Sequence, residues 1–74
     1  MKNELQIKFG QRVRELRKER GWSQEEFADK CGLDRTYVSG IERGVRNPTL
    51  AIIGTIANSF SIELSTLMLF GHCR

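Results

Sequence analysis

The sequence predicts an all-helical domain of five short helices with a helix-turn-helix at its centre, spanning roughly Ser23 to Arg43. Three observations lead there. Apolar residues recur at helical spacing in each segment, cap residues and glycines fall between the segments, and the helix after Gly32 presents a polar face free of acidic residues.

In the first segment Leu5, Phe9, Val13 and Leu16 recur at four, four and three residues, one apolar stripe on a helix otherwise covered with Gln, Lys, Arg and Glu. Gly21 ends it. The second helix opens on Ser23 as N-cap, with Glu26 placed to reach back to the cap's backbone N–H and with Trp22 and Phe27 as a hydrophobic staple. It runs to about Lys30. Cys31, Gly32 and Leu33 make a turn before Asp34 caps the third helix, where Leu33 and Val38 repeat the staple.

Helix three continues through Ile41 and Glu42 and stops near Gly44, a residue suited to the left-handed close of a helix. A basic loop, Val45-Arg46-Asn47-Pro48, follows. Thr49 can cap helix four, whose buried face is marked by Leu50, Ile53, Ile56, Ala57 and Phe60, although Gly54 costs about 1 kcal/mol relative to Ala. The fifth helix, about Leu64 to Phe70, is almost wholly apolar.

Seventy-four residues make one domain, 1–74. A chain this short buries only about 60% of its unfolded surface, so its stability margin is thin. Disulfides and metals offer little help, since Cys31 and Cys73 lie far apart and His72 is the single histidine. Oligomerisation is the natural supplement. The same scarcity of His and Cys argues against a zinc site, a nucleophile with its base, and hence an enzyme. No cofactor is expected.

The longest apolar run, Leu67 to Phe70, is far short of the ~20 residues that span a bilayer, and we expect a soluble, cytoplasmic protein without a membrane partner. A reducing compartment keeps both cysteines as thiols, with Cys31 as plain core packing. No inducer-binding region is visible, so no small-molecule ligand is expected.

The formal net charge of +3 is modest but lopsided: eleven of the twelve Lys and Arg lie at or before Arg46, and from Asn47 to Cys73 the only formal charge is Glu63. A mild positive excess alone is compatible with an ordinary solvated surface. Its arrangement says more.

Two short helices joined by a glycine-containing turn can be any helical hairpin. The outward side chains decide. Ala28 is small where helix three crosses closely, and Val38 and Ile41 face inward, which leaves Arg35, Thr36, Ser39 and Arg43 facing out. Arg can donate two hydrogen bonds to guanine, Thr can touch a thymine methyl, and Ser can bond a base or a phosphate, a set suited to the major groove of double-stranded DNA. Asp34 is occupied at the cap, and Glu42 lies one turn beyond the reading positions. Arg35 and Thr36 stand at the helix N-terminus, the end that reaches bases when a recognition helix docks. Arg35 is the leading candidate for specificity.

Phosphate contacts fall to the flanks: Gln24 at the positive end of helix two, and Arg43, Arg46 and Asn47 beyond helix three. Tyr37 can reach DNA with its hydroxyl or pack against the domain. Gly40 permits close approach or is merely tolerated.

Ser23-Gln24-Glu25-Glu26-Phe27-Ala28, Gly32 and Val38-Ser39-Gly40-Ile41-Glu42-Arg43-Gly44 resemble the Cro/C1-type (XRE) family of helix-turn-helix repressors, a likeness that covers nearly the whole chain. The run Leu33 to Gly44 with Arg46-Asn47 is similar to the controller proteins of restriction-modification systems, small dimers that activate or repress their own operon. The resemblance implies a five-helix, lambda-repressor-like fold and a palindromic operator. It further implies base contacts from Arg35, Thr36 and Ser39, backbone contacts from Gln24, Arg43, Arg46 and Asn47, and an ion pair between Arg17 and Glu42. Trp22, Ala51, Ile52 and Gly54 depart from the family pattern.

One recognition helix reads only a few base pairs, so such domains normally work in symmetric pairs. Ile52, Leu64, Leu67, Met68, Leu69 and Phe70, within a surface spanning about 50–70, exceed what one small core absorbs and mark an expected homodimer interface. Two alternatives stand beside this reading: an antitoxin-like or phage-repressor-like module whose helix five holds another protein, and an RNA-binding helical protein. Against RNA, Tyr37 is the lone aromatic on the basic face.

Overall fold

The computed structural model describes residues 3–69. They form five helices, α1 (Glu4–Glu19), α2 (Gln24–Cys31), α3 (Arg35–Glu42), α4 (Leu50–Ser59) and α5 (Leu64–Leu67), and no strand. No helix among these residues is long and apolar enough to cross a membrane.

Local signals set the boundaries. Ser23 and Glu26 form the full capping box, the Ser23 hydroxyl accepting from Glu26 N–H at 3.0 Å and the Glu26 carboxylate accepting from Ser23 N–H at 2.8 Å. Asp34 accepts from Thr36 N–H at 3.3 Å, and Thr49 from Ile52 N–H at 3.2 Å. The α2–α3 turn depends on Gly32, at φ +68°: from there its N–H reaches Asp29 O at 3.2 Å and Leu33 N–H reaches Ala28 O at 2.9 Å, closing the helix in a Schellman motif. α4 closes the same way without a glycine. Ser61, at φ +59°, donates to Asn58 O and Ile62 to Ala57 O.

The core gathers Phe9, Val13, Leu16, Phe27, Val38, Ile41, Ile56, Phe60 and Leu67, with Phe27 and Phe60 stacked at 4.9 Å between ring centroids. Trp22 joins that stack from the edge, 5.8 Å from Phe60 and 6.2 Å from Phe27, so the staple between Trp22 and Phe27 extends to α4. Cys31 is buried, and burial pushes its thiol pKa up while a hydrogen bond with Ser59 partly offsets that. α1 crosses close upon α3. At Gly10 an added Cβ would lie only 2.2 Å from Ile41 O and 2.8 Å from Glu42 O, so the backbones meet where a side chain is missing.

Several sequence expectations change here. Leu5 is 60% exposed, at the second position of α1, rather than part of the buried stripe. Leu50, expected on the buried face of α4, is 73% exposed at the first position after the Thr49 cap. α5 is one turn, Leu64–Leu67, rather than a helix to Phe70. Leu67, expected at a dimer interface, is wholly buried in its own domain, since α5 needs one apolar anchor to stay attached. Phe70, His72 and Cys73 lie outside the described residues.

Candidate nucleic-acid interface

Asp34 stops the chain's extended run and starts α3, so the next side chains stand at a helix N-terminus: Arg35 and Thr36 are both exposed. Val38 and Ile41 point into the core and turn the opposite face outward. Ser39 and Tyr37 are half-buried on that face. Ser39 Oγ accepts from Arg43 Nε at 3.4 Å, and its hydroxyl proton stays available to a base or phosphate.

Arg46 comes back over α3. Its guanidinium lies 5.5 Å from the Tyr37 ring centroid, a cation–π contact, and its stem crosses Gly40, where an added Cβ would sit 2.5 Å from Arg46 Cγ. Gly40 thus permits the close approach of Arg46. Gln6 of α1 fastens the same loop by donating to Arg46 O at 3.0 Å. Tyr37 accordingly packs against the core as well as supporting Arg46, while Asn47 is exposed beside it.

Behind the face lies a buried polar network. Arg17 Nε and Nη2 donate to Glu42 Oε2 and Oε1 at 2.7 and 3.1 Å, Arg17 Nη1 to Trp22 O at 2.7 Å, and Gln24 Nε2 to Glu42 Oε1 at 3.1 Å. Glu42 is therefore no free negative charge beside a polyanion. Gln24 is half-buried with one N–H directed inward, which leaves its second N–H and the uncapped backbone amides of α2 for a phosphate. Gln6 carried no sequence signal, because its role depends on a loop forty residues away.

The charges divide in space. Glu25, Glu26, Asp29 and Asp34 line an open groove beside α2 that Arg35 also borders, while Arg43 and Arg46 are exposed beyond the C-terminal end of α3. The uncharged half carries the exposed apolar residues: Leu50, Leu64, Met68 and Leu69, with Leu5 of α1 beside them. Ile52 is half-buried against the core. Leu5, Phe9, Pro48, Ile53 and Met68 meet around a shallow apolar cavity.

Residues 13–67 match the family described as Helix-turn-helix. Over 78 aligned residues the chain is 40% identical to Control protein C.BamHI from Bacillus amyloliquefaciens, covering 100% of this chain and 96% of that protein. The chain belongs to the Cro/C1-type helix-turn-helix family. Among solved structures it is similar to the restriction-modification controller protein C.AhdI from Aeromonas hydrophila, with 52% identity and a TM-score of 0.81 over 84% of this chain and 94% of that one. It is also similar to SinR, a master regulator for biofilm formation solved in complex with DNA, at 34% identity and TM-score 0.75 over 81% of this chain and 97% of that one. As a member of this family the protein is a DNA-binding transcription regulator and not an enzyme. The Arg17–Glu42 pair that the resemblance implied is present, bidentate and shared with Gln24.

Proposed function

We propose that this cytoplasmic regulator binds a two-fold symmetric operator as a homodimer and controls a restriction-modification operon, its own expression included. The likeness to Control protein C.BamHI across nearly the full length of both chains carries this reading. Arg35, Thr36 and Ser39 contact base edges; Gln24, Arg43, Arg46 and Asn47 contact the backbone, with Tyr37 supporting Arg46 and offering its hydroxyl. Self-association uses the exposed apolar residues Leu64, Met68 and Leu69 of the α5 region, with Leu50 and Leu5 alongside and Ile52 at the margin. Phe70, expected at the same interface, lies outside the described residues. Leu67 drops out of it, having no exposed area to offer.

Two-fold symmetry places the half-sites about one helical turn, ~34 Å, apart on one face of the duplex. The test pairs sedimentation equilibrium with footprinting on a duplex selected from a random pool. Dimer at tens of micromolar, a symmetric footprint and affinity falling steeply with salt support the reading. Monomer only, or a footprint lacking symmetry, overturns it. A second protein co-purifying in equal amount would instead assign the apolar surface to that partner. With no inducer in the scheme, operator occupancy follows protein concentration through the dimer equilibrium.

A further inference from the structure

Among the contacts that join α1 to the uncharged half, Arg20 Nη2 donates to Phe60 O at the end of α4, 2.8 Å away, and Arg12 reaches α5. The Arg12 side chain leaves the middle of α1 and meets the C-terminal end of α5, with Nε donating to Leu67 O at 3.3 Å and Nη2 to Thr66 O at 2.9 Å. The last carbonyls of a helix lack partners within it and carry its negative end, which a guanidinium complements. α5 has little else. It is four residues long, its N-cap Glu63 makes no side-chain cap bond, and a helix of that length does not hold itself together. Leu67 anchors it in the core, and the two Arg12 hydrogen bonds add a second hold at its C-terminal end. Leu64, Met68 and Leu69 are exposed on either side of that anchor.

α1 and its C-cap thus grip three other elements by separate arginines, Arg20 holding the end of α4 through Phe60 O. Arg17 holds the end of α3 through Glu42, and Arg12 holds the end of α5 through two carbonyls. α1 thus links the recognition helix to the exposed apolar turn directly, beside the longer path through α2 and α4.

We infer that Arg12 is a positioning residue for self-association: it orients Leu64, Met68 and Leu69 relative to α3 and so sets the separation at which two recognition helices meet DNA. The inference rests on the homodimer proposed above. Arg12 touches neither DNA nor, by itself, the second copy. Its effect passes through the backbone of α5.

The experiment compares the wild type with Arg12→Ala and Arg12→Lys in two assays at fixed salt: sedimentation equilibrium, and binding to the selected duplex either whole or cut to a single half-site. Arg12→Ala should raise the dimer dissociation constant about tenfold or more, equivalent to about 1.4 kcal/mol, and weaken whole-duplex binding by a similar factor. Half-site binding, whose contacts come from α2, α3 and the loop after α3 and not from α5, should stay within about twofold of wild type, well under the 1.4 kcal/mol of a tenfold change. Lys should restore part of the loss, since an ammonium can reach one carbonyl but lacks the fork that spans two. An unchanged dimer constant in Arg12→Ala overturns the inference. So does an equal loss on half-site and whole duplex, which would make Arg12 a part of the general fold. A wild type that is itself monomeric sinks the homodimer first, and is seen without any variant.

Discussion

The Arg17 guanidinium grips both oxygens of the Glu42 carboxylate, at 2.7 and 3.1 Å, with the two side chains only 10% and 3% exposed. This pair ties the last turn of α1 to the last turn of α3, and the Trp22 carbonyl and Gln24 add one further hydrogen bond to each partner. A buried pair contributes little net stability against an apolar replacement, yet removing one partner leaves a charge stranded and costs about 3–5 kcal/mol. Glu42→Ala should lose that much in urea unfolding, a large part of the ~5–15 kcal/mol available to a small domain. Arg17→Met combined with Glu42→Leu should recover most of it. A double variant no better than Glu42→Ala would show that the pair is indispensable for folding rather than replaceable by packing.

Arg35 and Arg46 should fail in different ways. Arg35 stands exposed at the start of α3, so Arg35→Ala should cost ~1–3 kcal/mol on the selected duplex and relax preference at one base pair per half-site. Arg46 is held over Tyr37 and Gly40 at the flank, so Arg46→Ala should weaken all sequences alike and reduce the salt slope by about 1 per protomer. Competition binding against a panel of single-base variants, repeated at several salt concentrations, separates the two. Swapped behaviour would exchange their roles.

Gly10 is where α1 and α3 touch backbone to backbone. A methyl group there meets Ile41 O at 2.2 Å, and neither backbone can yield without moving the recognition helix. Gly10→Ala should therefore destabilise by ~2 kcal/mol or more, despite the gain in helix propensity of about 1 kcal/mol. It should also reduce DNA affinity among the molecules that remain folded. A stabilised variant with normal binding would disprove the crossing.

Ser61 closes α4 in a left-handed conformation that an L side chain adopts at a cost. Ser61→Gly removes the Cβ while keeping both backbone bonds of the motif, and should raise stability by about 0.5–1 kcal/mol. Thermal unfolding followed by circular dichroism measures it. A lowered melting temperature would mean that the Ser61 side chain contributes more than its strain.

The local devices of this domain were legible because each is complete within a few residues. The Ser23–Glu26 capping box, the Asp34 and Thr49 caps and the glycine turn at Gly32 need no distant partner, and they place Arg35 and Thr36 at the start of α3 wherever that helix docks. Periodicity likewise named most of the core. It could not say how far along a stripe the cover extends: Leu5 and Leu50 keep the helical spacing yet stay largely exposed in first turns, while Leu67, read as surplus, is the plug that fixes α5. Ser61 escaped notice because residue type points to glycine at such a position.

The amino-acid sequence by itself determined five helices, the order in which they start, and the exposed place of Arg35 at the start of α3, since caps, turns and helix periodicity act over neighbouring residues. Tertiary structure alone decided what each charged or small residue does once the helices meet. Arg12 reaches a carbonyl 55 residues away, Gln6 one 40 residues away, and Gly10 is indispensable only because α3 lies against it. Such roles arise from chain segments brought together by burial of a shared core, and no local pattern encodes the partner.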